Sequence, residues 1–327
     1  MNRNRRQWIR DSLALVACAA AGTLHAQPAW PARPIRIIVP FPPGGAVDYY
    51  ARIVQGPVGE MLGQPIVIES RPGASGMIGA DLVAKAAPDG YTLLLGNIAS
   101  LAINAGIYDR MTYDPVKDFT PILHVNDVNY VLVVNAAAVP ARTTAELIAY
   151  GKAHPGTLSY GSAGSGSLPQ LAMELFKQRT GNDFVHVPYK GGGPMVTDII
   201  GGQTQLTIAD QANLMPHVAT GKLRALAVAS PRRSTVYPDL PTIGETLPGF
   251  EATAWQALVG PAGLPADIVK RINDAFNRAM ADPAVRKRMV EGGLDPVGGT
   301  PDALGAFIRS EKNKWTDVAR AVGVKAE

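Results

Sequence analysis

Six times along this chain a short β-rich apolar run ends in a loop of glycine and other small residues, and a helical pattern follows. In the first half, Ile35–Val39 leads into Pro40-Phe41-Pro42-Pro43-Gly44-Gly45 and a helix from Ala46 to about Met61. Residues 66–69 lead into Arg71-Pro72-Gly73-Ala74-Ser75-Gly76 and a helix to about Ala87. Residues 91–95 lead into Gly96-Asn97-Ile98-Ala99-Ser100 and a short helix. The second half repeats the layout. Residues 158–160 lead into the loop 161–167 and a helix over 169–179. Residues 184–187 lead into Pro188-Tyr189-Lys190-Gly191-Gly192-Gly193 and a helix over 195–200. Residues 205–208 lead into Ala209-Asp210-Gln211 and a helix through 215–219.

Strand–loop–helix repetition implies right-handed βαβ units on a parallel sheet. Two copies predict an α/β protein of two doubly wound parallel-sheet domains joined by a hinge, and 327 residues suffice for two cores. Residues 119–125, 130–134 and 223–229 read as further strands, and 250–259 as the return strand. Ile268, Ile272 and Phe276 recur at helical spacing. Thr300-Pro301-Asp302 supplies an N-cap, a first-position proline and an early acid for a last helix to about Val322. That tail packs most simply on the first domain. The expected division is a leader at 1–26, one domain from 27–126 with 251–327, and a second at 127–250. The hinge is expected around 125–130 and 250–255, with a ligand cleft between the domains.

Basic residues crowd the first ten positions, an apolar run covers 13–21, and Leu24-His25-Ala26 forms a small-residue stop. This pattern predicts an export signal cleaved before Gln27 and a periplasmic location. The run is too short to span a bilayer. Asn4-Arg5-Arg6-Gln7-Trp8-Ile9-Arg10 resembles a twin-arginine signal, which leaves two export routes open. Leu15-Val16-Ala17-Cys18 resembles a lipoprotein box, but Arg10 and Asp11 stand close to it. Cys18 is the single cysteine, so a chain starting at Gln27 has neither disulfides nor thiolate chemistry. Residues 1–26 hold four basic side chains and one acid, so removing them lowers the formal charge from +4 to +1. A near-neutral surface argues against nucleic acid as a partner.

A strand ending in glycines and opening a helix presents unpaired backbone N–H groups, and carboxylates bind such places. Gly44-Gly45 and the loop 161–167 fit this description, and Ser162, Ser165 and Ser167 add hydroxyls. Asn97 and Asp210 occupy matching positions at the third strand of each half, where polar side chains can read a ligand's far end. Each has a plainer alternative. The glycines serve a tight turn, the serines and Asp210 cap helices, and Asp48 compensates a helix dipole. Lys190 and Arg71 are either anion binders or solvated loop charges.

Enzyme motifs are thin. Ser165 has Ala163 and Ser167 at the two positions where a nucleophile elbow needs glycines, no phosphate-loop motif occurs, and the histidines lack metal-ligand spacing. No cofactor or metal is expected. Ser165, His186 and Asp210 could still assemble in space as a triad.

Several motifs in order resemble the receptor family of tripartite tricarboxylate transporters, also called Bug proteins. They include Val39-Pro40-Phe41-Pro42-Pro43-Gly44-Gly45 with Asp48, Arg71-Pro72-Gly73-Ala74 and Ala87-Pro88-Asp89-Gly90-Tyr91-Thr92. Tyr113-Asp114-Pro115-Val116-Lys117-Asp118-Phe119, Val187-Pro188-Tyr189-Lys190-Gly191 and Pro238-Asp239-Leu240-Pro241-Thr242 continue the match. The resemblance implies an exported, monomeric, non-enzymatic receptor with the two-domain type II periplasmic binding fold. It would close over a small carboxylate and deliver it to a small and a large membrane subunit driven by an ion gradient. Carried over by position, Phe41, Gly44 and Gly45 form the carboxylate side. Asn97, Ser100, Ser162, Ser165, Gly191 and Asp210 form the opposing wall. Ser167-Leu168-Pro169-Gln170 departs from the polar, His-ending run of many relatives, and Ala46-Val47 is likewise more apolar. Both changes favour a ligand with an apolar or aromatic body. A sensor presenting the same acid, an exported hydrolase and a ligand-free scaffold are the competing readings.

Overall fold

Strand β1 (Ile35–Val39) buries Ile35, Ile37, Ile38 and Val39, so both of its faces are covered. That is how a central strand of a helix-flanked parallel sheet reads. It pairs in parallel with β2 (Ile66–Ser70) and β3 (Thr92–Asn97). The computed structural model describes residues 30–234 and 236–325. The expected leader, its cleavage point and Cys18 lie outside the described residues.

From Arg33 onward the described chain is one compact unit built on two sheets. The first has the order β11-β4-β10-β3-β1-β2, with β4 at Phe119–Val128, β10 at Ala254–Pro261 and β11 at Leu294–Pro296. The second has the order β7-β6-β8-β5-β9. Its strands are β5 (Tyr130–Asn135), β6 (Ser159–Ser162), β7 (Val185–Pro188), β8 (Leu206–Asp210) and β9 (Leu223–Val228).

The two-sheet α/β class is as expected, but the sheets are mixed where parallel sheets were predicted. Strand β6 is parallel to β7 and β8, whereas β5 runs antiparallel to β8 and β9, and β10 runs antiparallel to β3 and β4. Crossing between sheets explains the reversal. Only Asn129 separates β4 from β5, so β5 enters its sheet at the edge where β8 ends and must run against it. Strand β10 enters beside the end of β3 in the same way. The register brings Tyr130 opposite Asp210 and Gln256 opposite Asn97.

The helices follow the sequence pattern. Helix α1 (Ala46–Leu62) stops at Gly63, whose positive φ of 76° lets its N–H reach the carbonyls of Glu60 and Gly59. Helix α9 (Ala266–Ala281) buries Ile268, Ile272 and Phe276 as their spacing predicts. Helix α11 (Pro301–Ala321) starts where expected, with Thr300 Oγ1 accepting the Ala303 N–H at 3.2 Å. It packs on β4, on the turn 99–103 and on α5 (Leu168–Thr180) of the other half. Its Glu311 is buried and accepts both indole N–H groups, Trp255 at 2.7 Å and Trp315 at 2.9 Å. One apolar core therefore runs from the first sheet into the second through Ile98, Ile107, Leu168 and Trp315. Helices α4 (Thr144–Ala153), α8 (Ile243–Thr246) and α10 (Pro283–Glu291) add surface that the repeat did not announce. Among the described residues, no helix is long and apolar enough to cross a membrane.

Candidate functional site

The loops after β1, β3, β6 and β8 converge on two hollows that share Asn97, Tyr130 and Ala254. The larger measures about 730 Å³ and includes Ser165, Leu168, Pro169, Tyr189 and Lys190 in its wall. The smaller, about 290 Å³, is walled by Phe41, Gly45, Ala46, Val47, Asp210 and Gln256, among others. Lys190 and Asp210 are the charged side chains on these walls, and they belong to different hollows. Leu168-Pro169 and Ala46-Val47, the apolar departures in the sequence, all face these spaces.

In the first half, Gly44 has a φ of 87°, a conformation suited to glycine. Its N–H donates at 3.0 Å to Asp48 Oδ2, and Arg52 Nε donates to the same oxygen at 2.8 Å. The Arg52 bond, helped by Gly44, holds the buried Asp48 carboxyl below the ordinary carboxylate range against the opposing effect of burial. Asp48 thus compensates its own helix N-terminus, and the Gly44 amide is already occupied. Gly45 and Phe41 remain on the wall. Asn97 Oδ1 accepts the Ala99 and Ser100 N–H groups at 3.0 and 3.3 Å, which leaves its NH2 for the cleft. Ser100 is fully buried. Its hydroxyl accepts the Asn97 N–H and donates to the Asn97 carbonyl, each at 3.1 Å, so it braces the turn from beneath.

In the second half, Ser165 is exposed on the larger hollow. Ser162 is fully buried beneath the loop, 2.7 Å from His186 Nε2. Ser167 Oγ donates to the Gly164 carbonyl at 2.6 Å. The Gly191 N–H is spent on the Ala163 carbonyl at 3.2 Å, tying the loop after β7 to the loop after β6. Asp210 caps α7 (Gln211–Ala219), accepting the Ala212 N–H at 2.8 Å. Burial pushes its carboxyl above the ordinary range, with that hydrogen bond opposing.

The site residues therefore divide. Phe41, Gly45, Asn97, Ser165 and Asp210 line the hollows. Gly44, Ser100, Ser162 and Gly191 support them from behind, with amides or hydroxyls already committed. Arg71 pairs with Glu69 away from the hollows, whereas Lys190 is on their wall. Ser165, His186 and Asp210 do not form a triad, because the His186 ring nitrogens face Ser162 and Gln170. Among the described residues, no group of three or more His, Cys, Asp or Glu is arranged to hold a metal. Tyr130, Tyr189 and Gln256 are wall residues that were not among the site residues expected from the sequence. Tyr130 and Gln256 sit on the crossing strands, where cross-sheet register and not local spacing sets their place.

The profile described as "Tripartite tricarboxylate transporter family receptor" matches residues 50–324. The chain is 40% identical to Protein BugT of Bordetella pertussis over 298 residues, covering 90% of this chain and 91% of the relative. Among solved structures it is similar to R. palustris Rpa4515 with adipate, at 36% identity and a TM-score of 0.74 over 90% of this chain and 99% of that one. It is also similar to MatC from Rhodopseudomonas palustris with bound malate, at 33% identity and a TM-score of 0.70 over 88% and 99%.

Proposed function

The chain belongs to the tripartite tricarboxylate transporter receptor family, and from that premise we propose that it is a periplasmic receptor for a small organic carboxylate with an apolar body. It delivers this ligand to the small and large membrane subunits of an ion-gradient-driven transporter, after export by a cleaved signal. The proposed domains are 27–126 with 251–327, and 127–250. The ligand lies between them, and closure bends the chain at 125–130 and 250–255. One observation carries the reading: loops from the carboxyl ends of strands in both sheets wall the same two hollows, which share Asn97, Tyr130 and Ala254.

The chemistry of that space supports a carboxylate. Ser165, the Asn97 NH2, Gly45 and Lys190 supply donors, with Phe41, Tyr130, Tyr189, Leu168 and Pro169 around an apolar body. Adipate and malate, named with relatives of this chain, are acids of this size class. Micromolar affinity corresponds to about −8 kcal/mol. Charge-assisted hydrogen bonds contribute about 1.5–3 kcal/mol each, so a few of them plus apolar burial suffice. A ligand touching both sheets favours the closed state because that state alone makes both sets of contacts.

The test is a thermal-shift panel of mono-, di- and tricarboxylates, acidic amino acids and aromatic acids on residues 27–327, refolded to strip any carried-over ligand. Saturation at about a hundred times the Kd adds about 2.7 kcal/mol, a melting shift of several degrees. A shift confined to acids with apolar bodies is expected. No shift with any acid overturns the reading.

A further inference from the structure

Beneath the loop 163–167 lies a buried chain of hydrogen bonds whose direction can be assigned from one end. The Gly166 N–H is a backbone donor and nothing else, and it lies 2.7 Å from Gln170 Oε1. That contact makes Oε1 the acceptor and turns the Gln170 NH2 toward His186 Nδ1, 3.3 Å away. Nδ1 must then carry a lone pair, so the proton of the neutral ring sits on Nε2 and is donated to Ser162 Oγ at 2.7 Å. The chain closes on the loop itself. Ser162 Oγ accepts the Gly164 N–H at 3.3 Å and donates to the Gly164 carbonyl at 3.2 Å. Each of these contacts pairs a donor with an acceptor in this arrangement. With Nδ1 protonated, an N–H faces the Gln170 NH2. Flipping the Gln170 amide to relieve that clash sets its NH2 against the Gly166 N–H.

We infer that His186 is a positioning residue for the loop 163–167 of the binding wall, that it holds the loop only as the neutral Nε2–H tautomer, and that protonation of His186 unlocks that wall. The word "binding" rests on the proposed receptor function; the lock itself does not. The surroundings favour the neutral ring. Tyr160 stacks on it with centroids 4.9 Å apart. From α5, Glu174 favours the charged form and Lys177 opposes it, while burial is the largest effect and lowers the imidazole below its ordinary value. Lys177 and the Tyr160 hydroxyl both bond to Glu174, which blunts its pull on His186. Unlocking therefore falls below the ordinary imidazole value of about 6.5.

The experiment uses ¹⁵N-labelled protein without ligand. Long-range spectra of the His186 ring at about pH 7.5 should show the neutral Nε2–H form. Hydrogen-exchange protection of the Gly166 amide should fall about five- to tenfold as His186 titrates. The Gly44 amide, held by Asp48, should keep its protection over the same range. Gln170→Glu supplies acceptors to both Gly166 N–H and a protonated Nδ1–H, so its Gly166 protection should persist in acid. His186→Gln keeps an amide donor for Ser162 and cannot gain a proton, so its Gly166 protection should not follow pH. An Nδ1–H neutral ring, or Gly166 protection that ignores the His186 titration, overturns the inference. So does a Gln170→Glu variant that loses protection like the unaltered protein. These readouts need no ligand, so a panel in which no acid binds would remove the receptor reading and leave the lock standing.

Discussion

The loops after β1 and β6 use the same device with opposite chemistry. In each, a left-handed glycine, Gly44 or Gly166, donates its amide to a side chain four residues on, in the first turn of the following helix. In the first loop the acceptor is the Asp48 carboxylate, steadied by the Arg52 guanidinium. In the second it is the neutral Gln170 amide, steadied by His186. A carboxylate at a helix N-terminus cancels part of the positive field there. The second loop keeps that field, and Lys190 from the loop after β7 stands on the same hollow, so the proposed receptor function makes it the stronger anion wall. The first loop is the more robust in acid. Asp48 stays ionised below the ordinary carboxylate range, whereas the His186 lock fails once pH drops far enough below the ordinary imidazole value of about 6.5 to protonate the ring.

The largest expected effect separates the two glycines. Gly166→Ala imposes a left-handed alanine whose Cβ would stand 2.9 Å from Ile107 Cδ1, and it should cost about 2–4 kcal/mol from strain and overpacking together. Gly44→Ala meets nothing within 4 Å and should cost about 1 kcal/mol from backbone strain alone. Urea midpoints at constant slope measure both, and equal losses would erase the distinction. Next comes Gln170→Leu, which strands the buried Gly166 N–H and should cost about 1–3 kcal/mol. Asp48→Asn, at an exposed glycine, should cost about 1 kcal/mol at neutral pH. Because the folded Asp48 carboxyl is lowered, its contribution is fully present above the unfolded value of about 3.9 and is lost as pH falls through the folded one. The Asn variant should therefore converge on the unaltered protein in strong acid; a gap that stays constant would show that Asp48 acts by packing. The smallest effect is on affinity. Lys190→Ala should weaken binding of the acid that the panel identifies by about three- to tenfold, and less at high salt because Lys190 is exposed. A variant that binds unchanged at low salt would remove Lys190 from the anion wall.

Much of this architecture was legible in the sequence. The strand–loop–helix repeat located all six parallel-unit strands and their helices, because alternation and helical spacing are properties of neighbouring residues. The Thr300-Pro301 helix start and the Gly44 turn were legible for the same reason. The site was legible only by loop. Sequence position placed Ser100, Ser162 and Gly191 in loops that wall the hollows but could not say that their donors are spent within the protein. Nor could it say that Gln170, two places past the apolar Leu168, points back into the loop.

Local chemistry in the sequence determined which segments are strands, where glycines permit left-handed turns, and which helices start at a cap. Those preferences act over a few residues and need no partner. Only the tertiary structure decided that β5 and β10 run against their neighbours, since strand direction is set by the edge at which the chain enters a sheet. It also decided that His186 serves Ser162 and Gln170, which lie 24 and 16 residues away. A hydrogen bond is satisfied by proximity and direction in space, and neither is written in the spacing of residues along a chain.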